Sequence, residues 1–590
     1  MQKRSWMSAP GITAPTSVVY RGEFYVDGYS EIPITFSADE RCQLYCDGVR
    51  VAEGPERGAP ERWYSENVLL KLTPGKHFLC ARVFSVGSMF AFHAQMSCRH
   101  GFYISGLEAQ WRYREEKIGF SIPFPDWGAF PRIQVPAGYE DGILKGEGEN
   151  WEEVIFFEDT RPLFPPDLPP RRREKVEPEE VRSGVWRFKE YMCVMAVYHF
   201  SGQGTVRIRW SETPYQNEKF EEVSLKGEKG DRNGSVFVGN FDVFEVSGAY
   251  TFPAFWFKAG RYVEIYCTPG VRCRAEYFRT GYPVPEYKGS DPLAKAAWNT
   301  LANCCFETFM DCPHYEQLAY IGDTRIEALC LYNMTGDIRL NAKALRFFAL
   351  GQKPDGRLRS QYPSRSDQHI LSFMPVWLLM LNDYCKIMGR DSLVRELLPS
   401  AEKLLGWFRS RMTGGFLPES EWSFFDWVKN WPRGVIPGEG PKSPLQFLLV
   451  LALRAHGETT GDPGLTREAE ELLKRIRETY YVPSRGMFAD TPDGKGFSEH
   501  AQVLALLCGV PEKEQIIKAL YREKNLAPCS IYFSFYYMSA CRMYALEDLL
   551  QQRIGRYREV LKNDLTTLPE EFDEPRSDCH AWSSNVMFFL

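Results

Sequence analysis

The stretch Asp311-Cys-Pro-His-Tyr-Glu316-Gln-Leu-Ala-Tyr320-Ile-Gly-Asp323-Thr-Arg325 gathers three carboxylates, a tyrosine and an arginine in one short segment. A proline and a glycine inside it predict a loop that runs into a helix capped by Asp323. If residues 316–323 are helical instead, Glu316, Tyr320 and Asp323 share one face. From the residues alone, a capping aspartate with surface acids is the simpler interpretation. Catalytic carboxylates carried by a loop on a rigid scaffold are the alternative.

The chain around and beyond this stretch, from Pro292 onward, has apolar residues at a spacing of about 3.6, which predicts helices. Three junctions (Gly336-Asp337, Gly389 to Asp391, Gly461-Asp462) place a helix-ending glycine just before a capping aspartate. About a dozen helices in short-linked antiparallel pairs favour an all-α half with the (α/α)6-barrel arrangement, although the period argues only weakly for a closed ring. The predicted segments include 292–309, 338–351, 371–388, 392–411, 443–456, 465–480, 512–522 and 546–562.

The chain before this half alternates apolar and polar residues, which predicts strands in residues 16–50, 66–105 and 185–280. Between these strand regions, Arg161–Glu180 is rich in proline and charge and is typical of a surface linker. The predicted organisation is a β domain at residues 1–160, a linker at 161–182, a second β domain at 183–284 and a helical catalytic domain at 285–590.

Composition excludes several classes of function. The net charge is −6, with 71 basic and 77 acidic residues, so there is no basic footprint for nucleic acid. The sequence has neither an apolar stretch of about 18 residues nor a signal-peptide pattern, so we expect no membrane span and no secretion. The 16 cysteines are scattered, which is typical of buried thiols in a reducing compartment, and we expect a cytoplasmic protein.

A metal site is one interpretation of Cys304, Cys305, Cys312 and His314. Their spacing does not match a structural zinc pattern, and an apolar helical pattern surrounds the first two. We therefore predict no metal and no other cofactor.

Two further stretches combine acids with aromatic residues. In Glu419–Trp431, Asp426 lies between aromatic side chains that could stack on a sugar, or could simply form a contact between helices. In Thr566–Trp582, six acids or histidines gather before the end of the chain, and an exposed acidic loop is the simpler interpretation.

Together the three stretches resemble the bacterial α-L-rhamnosidases of glycoside hydrolase family 78. Residues Asp311–Asp323 fit the pattern D-C-P-x-x-E-x-L-x-[WY]-x-G-D at every defined position, Phe425–Gly434 fits FDW-V-x-x-W-x-x-G, and Arg576–Trp582 reads R-S-D-C-H-A-W. The segments Tyr45–Gly48 and Phe255–Phe257 resemble the family's accessory β domains. The resemblance implies N-terminal β-sandwich (jelly-roll) domains followed by an (α/α)6 barrel.

The resemblance also implies an inverting enzyme that hydrolyses terminal α-L-rhamnosyl residues from glycosides or oligosaccharides. Glu316 would be the general acid, and Glu570 would be the base that activates a water on the opposite face of the sugar, at a carboxylate separation of about 6.5–9.5 Å. Glu571 is adjacent, and a shift of one residue in the alignment would exchange the two.

The remaining residues would bind the substrate. Asp311 and Asp323 would hold the hydroxyl groups of rhamnose, and His580 would be a further hydroxyl or water contact. The other expected substrate-binding residues are Tyr320, Trp427 and Trp431 as apolar walls, Asp426 as a supporting residue, and Arg325.

The resemblance leads us to expect a barrel shortened at its C-terminus, because the sequence stops at Leu590, soon after Trp582, where family members continue. The expected partner is a rhamnose-containing glycoside, and neither nucleic acid nor membrane is expected. Alternatives are an α/α-barrel glycosidase for another terminal sugar, and a catalytically impaired carbohydrate-binding homologue. The sequence does not indicate the aglycone, the linkage preference or the oligomeric state.

Overall fold

The computed structural model describes residues 3–87, 99–121, 129, 131–214, 237, 239, 241–419, 422–573 and 575–590. The chain forms two compact units. The first comprises Met1–Pro283, Pro313–Gln317 and Pro363–Arg365, and the second comprises Val284–Cys312, Leu318–Tyr362 and Ser366–Leu590. The first unit is built from strands and the second from helices, which confirms the predicted fold class of β domains followed by an all-α domain.

Two facing sheets form the first part of the strand unit. Their strands are β1 (Arg4–Ser8), β2 (Thr16–Val26), β3 (Ser30–Asp39), β4 (Arg41–Cys46), β5 (Val49–Gly54), β6 (Trp63–Tyr64), β7 (Glu66–Leu72), β8 (Gly75–Ser85), β9 (Gly101–Ser105), β10 (Gln110–Glu116), β11 (Gly119–Ser121), β12 (Arg132–Val135), β13 (Glu152–Glu153) and β14 (Ile155–Asp159), of which β6, β11 and β12 pair elsewhere. One sheet has the order β14-β1-β9-β3-β7 and the other β13-β10-β2-β8-β4-β5. Alternate residues of both sheets, such as Val18, Tyr20, Phe36 and Phe102, meet in one apolar core.

A third, nine-stranded sheet completes this unit. Its remaining strands are β16 (Arg172–Val176), β17 (Glu179–Arg182), β18 (Val185–Ser211), β19 (Asp242–Ser247), β20 (Tyr250–Pro253), β21 (Lys258–Cys267) and β22 (Val271–Gly281), while β15 (Leu163–Phe164) pairs with β6. The long strand β18 pairs with β17, β19, β20, β21 and β22.

The structure differs from the predicted linker at residues 161–182. Strands β16 and β17 lie within it and pair with β22 and β18. Their charged residues face solvent on strands that border the sheet, so the composition resembles a linker although the backbone is hydrogen-bonded. In the same way, β12, from the predicted first domain, pairs with β19 of the third sheet.

The second unit contains the helices, close to the predicted bounds. They are α1 (Pro292–Cys304), α2 (Ile321–Thr335), α3 (Arg339–Leu350), α4 (Phe373–Met388), α5 (Ser392–Arg411), α6 (Ser443–Thr460), α7 (Pro463–Tyr480), α8 (Glu499–Leu507), α9 (Lys513–Arg522), α10 (Ile531–Met543) and α11 (Glu547–Leu561), with a 3₁₀ helix at Ala581–Phe588 and the short strands β23 (Tyr481–Val482) and β24 (Met487–Phe488). Asp391 and Asp462 cap α5 and α7 as predicted. No helix in the described ranges is long and apolar enough to span a membrane.

Alternate helices form a closed ring. Helix α2 contacts α4, α4 contacts α6, α6 contacts α8, α8 contacts α10, α10 contacts the 3₁₀ helix Ala581–Phe588, and this 3₁₀ helix contacts α2. Inner helices such as α4 are buried on nearly every side, whereas outer helices such as α7 bury one stripe. The sequence of contacts between alternate helices is that of an (α/α)6 barrel. Its sixth inner element is the 3₁₀ helix that follows His580.

Candidate active site

The N-terminal ends of the inner helices converge on one group of polar and aromatic side chains. Asp323 lies in the first turn of α2, and His580 directly precedes the final 3₁₀ helix, with 3.2 Å between His580 Nε2 and Asp323 Oδ1. Phe373, the first residue of α4, contacts Tyr532 near the start of α10. Helix N-termini carry partial positive charge, so this end of the ring favours carboxylates.

Asp311 closes the base of the loop that carries the predicted acid. Its Oδ1 accepts a hydrogen bond from the amide of Leu318 at 2.9 Å, and its own amide donates to the Leu318 carbonyl at 2.7 Å. The Asp311 carbonyl accepts from the amide of Ala581 at 2.7 Å, which brings His580 close to Asp311. The buried carboxylate of Asp311 therefore has a structural role, and its sugar-binding role stays a prediction.

Glu316 lies in the segment Pro313–Gln317, which belongs to the strand unit. There, Trp256 Nε1 donates to Gln317 Oε1 at 2.8 Å, and Arg57 donates to the Gln317 carbonyl at 2.8 Å. His314 Nδ1 lies 2.7 Å from the Ala259 carbonyl. These bonds hold Gln317 in a left-handed backbone conformation (φ 60°) next to the half-buried Glu316.

Asp323 is not the helix cap that the sequence predicts. Helix α2 has Tyr320 at its N-cap, and Asp323 is its third residue, so the side chain is buried inside the ring. Burial raises the pKa of Asp323, and the adjacent His580 opposes this rise. Propensity could not distinguish the two positions, because aspartate is favoured both at the cap and in the first turn.

His580 holds the positive charge of the site. Burial would lower its pKa, but the carboxylates of Glu570, Asp323 and Asp311 raise the pKa to about 9. The imidazolium form therefore predominates at neutral pH. Its ring packs on Trp582 at 4.1 Å between centroids, and its Nδ1 has no hydrogen-bond partner within the described part of the chain. A charged donor in this position suits a sugar hydroxyl.

A backbone ladder holds Glu570 close to His580. The His580 amide donates to the Leu568 carbonyl at 3.0 Å, and the Glu570 amide donates to the Ser577 carbonyl at 3.0 Å. Trp582 Nε1 donates to the Glu570 carbonyl at 2.9 Å. The buried Glu570 carboxylate is 3.5 Å from Arg576 Nε and interacts electrostatically with His580 and Asp323.

Glu571 differs from its neighbour Glu570 in environment. Partial burial, together with the negative charges of Glu570 and Asp426, raises the pKa of Glu571 to about 8. At neutral pH its protonated form is favoured, and a protonated carboxyl cannot act as a base.

Asp426 is a fully buried structural acceptor. Its oxygens accept from the Trp427 amide at 2.9 Å, from the Ser530 amide at 2.8 Å and from the Ser530 hydroxyl, and Oδ2 lies 2.6 Å from His500 Nε2. Ser530 caps α10 and His500 is in the first turn of α8, so Asp426 joins two inner helices. This geometry gives Asp426 a structural role, and a contribution to substrate binding stays a prediction.

Aromatic rings form a continuous chain along the site. Tyr320 contacts Phe373, Phe373 contacts Phe424, and Phe424 contacts Trp427 at 4.9 Å between centroids. Tyr320 and Trp427 are half-buried and so keep part of their surface open. Trp431 is instead buried against His500, at 4.7 Å.

Arg325 is engaged within the helix bundle. Its guanidinium forms an ion pair with Asp383 at 2.7 Å and donates to the Tyr536 hydroxyl at 3.3 Å. These bonds link α2, α4 and α10. They give the predicted binding residue a structural use between inner helices.

Sequence reasoning missed Glu327, one turn after Asp323 on α2. Its side chain is fully buried, and neither carboxyl oxygen has a hydrogen-bond partner among the described residues. Burial, with Asp323 and Asp311, raises the pKa of Glu327 well above its ordinary value. The only available signal was an acid at an apolar position of the helical pattern. Phe373, His500 and Tyr532 were also missed, because they lie far from the motifs in sequence.

One group of described residues has donor atoms close enough to hold a cation. Asp311, Cys312 and His580 each offer an atom within 4.8 Å of the others. However, the raised pKa of His580 favours imidazolium, which has no lone pair for a metal. Cys312 Sγ already donates to Asp311 Oδ2 at 3.2 Å. The donor set fits hydroxyl binding better than metal binding.

Comparison with known proteins places this site in context. Residues 288–445 match the family model described as the bacterial α-L-rhamnosidase 6 hairpin glycosidase domain. No curated protein matches the chain by sequence.

Three solved structures share the fold. The family 78 rhamnosidase of Bacillus sp. GL1 is 16% identical over 100% of this chain and 91% of its own, with a TM-score of 0.80. The Streptomyces avermitilis α-L-rhamnosidase complexed with L-rhamnose is 16% identical over 97% of this chain and 61% of its own, with a TM-score of 0.70. The Klebsiella oxytoca rhamnosidase with rhamnose bound is 16% identical over 72% of this chain and 96% of its own, with a TM-score of 0.61. The family model and the shared fold confirm the resemblance predicted from the motifs.

Proposed function

We propose that this chain is an inverting α-L-rhamnosidase, because residues 288–445 match the model of a glycosidase domain of bacterial α-L-rhamnosidases. Its substrates are glycosides or oligosaccharides with a terminal α-L-rhamnosyl residue. The observation that carries the proposal is the convergence of Asp311, Asp323, Glu570 and His580 at the N-terminal ends of the inner helices.

The proposed chemistry uses two carboxyl groups. Glu316 protonates the glycosidic oxygen as the aglycone leaves, and the Glu570 carboxylate removes a proton from the attacking water. The position of the buried Glu570 carboxylate beside His580 and Asp323 supports this role. The raised pKa of Glu571 argues against Glu571 as the base.

Substrate binding is assigned to two aspartates, a histidine and two aromatic residues. Asp311 and Asp323 accept hydrogen bonds from rhamnose hydroxyls, and the unused Nδ1 of His580 donates one. Tyr320 and Trp427 offer apolar ring faces to the sugar. Holding the sugar in one orientation lowers the entropy cost of attack by water.

The first experiment tests substrate and acid together. A panel of aryl glycosides should show release of the aryl group from the α-L-rhamnoside and much slower release from the other sugars. Glu316→Gln should lower kcat by about 10²–10⁴-fold, the contribution typical of general acid catalysis. The control Glu439→Gln, at an exposed position, should retain full activity. Preference for another sugar, or full activity of Glu316→Gln, would contradict the proposal.

The second experiment separates the two adjacent glutamates. Glu570→Ala should be nearly inactive and should regain turnover with azide, which replaces the missing base. Glu571→Ala should keep most of its activity and show no azide effect. NMR of the first-formed product should detect β-L-rhamnose, because inversion converts the α-linkage into the β-anomer. Initial release of the α-anomer would exclude inversion.

A further inference from the structure

The outer face of the third sheet carries polar and aromatic side chains in facing rows. In β18, Val206, Ile208 and Trp210 point into the core, so the intervening Thr205, Arg207 and Arg209 point outward. Strand β21 pairs antiparallel with this part of β18, with Tyr266 opposite Arg207 and Glu264 opposite Arg209. Directly opposite residues lie on the same face of a sheet.

These side chains line a groove of about 390 Å³, bounded by Thr205, Arg207, Arg209, Phe241, Glu264, Tyr266 and Thr268. This volume is within the range of small-ligand sites. The walls of the groove combine two aromatic rings with hydroxyl and charged groups. Tyr266 is 56% exposed, so most of its ring is available for contact.

Charge in the groove is unbalanced. Arg209 is neutralised by Glu264 at 2.5 Å and lies over the Phe241 ring at 4.4 Å. Arg207 is exposed and has no ion-pair partner among the residues that the structure describes. The groove therefore offers one uncommitted guanidinium beside an exposed tyrosine ring. Guanidinium binds carboxylate in a bidentate manner, and the tyrosine ring can cover the apolar face of a sugar.

We propose that this groove is a binding site for an acidic saccharide, in which Arg207 pairs with a uronate carboxylate and Tyr266 stacks on the adjoining sugar ring. Thr205 and Thr268 add hydroxyl groups beside them, although Thr205 also donates to Glu245 at 2.8 Å. The site belongs to the strand unit alone and does not depend on the proposed hydrolytic activity. It gives that unit a ligand of its own.

Isothermal titration calorimetry of the full chain with oligogalacturonate tests the proposal, and the methyl-esterified oligosaccharide serves as the neutral probe. The native chain should bind the acid form more tightly than the ester, and added salt should weaken the binding because it screens the Arg207 charge. Arg207→Ala should weaken binding at least tenfold, as expected for a charge-assisted hydrogen bond pair, and should remove the preference for the acid. Tyr266→Ala should weaken binding of both forms.

Matched controls are exposed residues outside the groove. Arg274→Ala on β22 and Tyr25→Ala on β2 should bind as the native chain does. No binding of oligogalacturonate by the native chain, or equal binding by Arg207→Ala, would overturn the proposal. Hydrolysis of an aryl rhamnoside is measured in parallel. Both groove variants should retain the native rate, so a failure of this site and a failure of the proposed activity give separate readouts.

Discussion

At the residue scale, burial raises the pKa of acids in the site and by itself would lower the pKa of His580. Desolvation raises the pKa of Asp323, Glu327 and Glu571, because water no longer stabilises their ionised forms. For His580, burial would lower the pKa, but the carboxylates of Glu570, Asp323 and Asp311 raise it to about 9. His580 in turn lowers the pKa of Asp323 and of Glu571, which partly offsets the effect of their burial.

Glu327 gives the clearest test of this balance. Its pKa is raised in the folded state, so folding takes up a proton at pH values between the ordinary 4.5 and the folded value. Stability associated with Glu327 is therefore fully present below about pH 4.5 and is lost as pH rises through the folded pKa, by up to about 1.4 kcal/mol per pH unit. Glu327→Gln, which cannot ionise, should be more stable than the native chain at pH 8 and nearly equal at pH 4. Urea denaturation at both values measures this difference.

The control for this experiment is Glu439→Gln, since Glu439 is exposed. Its stability difference from the native chain should be close to zero at both pH values. A Glu327→Gln variant that is less stable than the native chain at pH 8 would show that the ionised carboxylate has a partner.

His580 should report the charge of its neighbours directly. Removing the charge of Asp323 with Asp323→Asn leaves burial unchanged but deletes one of the carboxylates that raise the His580 pKa. NMR titration of the ring should show a pKa near 9 in the native chain and a clearly lower value in the variant. Asp355→Asn, at an exposed position, serves as the control and should not change it. An unchanged His580 pKa in Asp323→Asn would mean that Asp323 is not ionised beside it.

At the element scale, helix ends fix the positions of the site residues. The N-terminal ends of α2, α8 and α10 meet through side chains, whereas their C-terminal ends close with glycines or tight turns. Gly336 ends α2 in the left-handed conformation (φ 73°), and Gly406 lies in the exposed interior of α5; neither has an atom within 4 Å of an added Cβ. The two positions therefore differ in backbone conformation alone.

Alanine at these two glycines should act in opposite directions. Gly336→Ala should destabilise the chain by about 1–2 kcal/mol, because a Cβ is disfavoured in the left-handed region. Gly406→Ala should stabilise the chain by about 0.5–1 kcal/mol, because alanine loses less entropy in a helix. Chemical denaturation of each single variant measures the signs, and two changes of the same sign would contradict the assigned helix ends.

Asp426 joins two elements, so its loss should be costly. Asp426→Asn keeps the shape but removes the charge and turns one acceptor oxygen into a donor facing the donors of Ser530 or His500. We expect a loss of about 3 kcal/mol or more, since each hydrogen bond to a charged group contributes about 1.5–3 kcal/mol. Ser530→Ala removes the cap, about 1 kcal/mol, and one hydrogen bond to Asp426, but it leaves the bonds of Asp426 to the Ser530 amide and to His500 in place. An Asp426→Asn variant with nearly native stability would contradict the role of Asp426 in joining α8 and α10.

At the scale of the whole molecule, the ring of helices is completed by its last segment. Within the helical unit, the 3₁₀ helix Ala581–Phe588 contacts α1, α2 and α10. Asn585, which is fully buried in it, donates to the Ile531 carbonyl at 2.9 Å and accepts from the Tyr557 hydroxyl at 2.9 Å. The barrel expected to lack its final wall therefore has six contacting inner elements.

Asn585→Ala tests this closure. The substitution removes the bonds of Asn585 to the Ile531 carbonyl and the Tyr557 hydroxyl, which keep the 3.4 Å bond between them, so we expect a loss of about 1–3 kcal/mol. The unfolding transition of the helical unit should shift accordingly, and hydrogen exchange at the start of α10 should accelerate. Asn333→Ala, at an exposed site on α2, should change neither. Unchanged exchange in Asn585→Ala would show that the last segment does not support the ring.

Much of this organisation is predictable from local pattern. The bounds of α5 match the prediction, and those of α3 and α11 lie within one residue of it, because a 3.6-residue period and capping aspartates are read directly from the chain. The edge strands β16 and β17 were not predictable, because exposed edge strands can carry the same dense charge as a linker. Glu327 was not predictable as an unpartnered acid, because its surroundings come from residues distant in sequence.

The sequence by itself determined the β-then-α order, the helix ends and the three motifs, since these depend on neighbours within a few residues. Only the tertiary structure decided that Asp323 lies inside the ring rather than at a cap, and that Asp426 joins two helices. It also raises the pKa of His580 to about 9 and that of Glu571 to about 8. Protonation and burial depend on which distant groups surround a side chain, and closure of the ring is what brings those groups together.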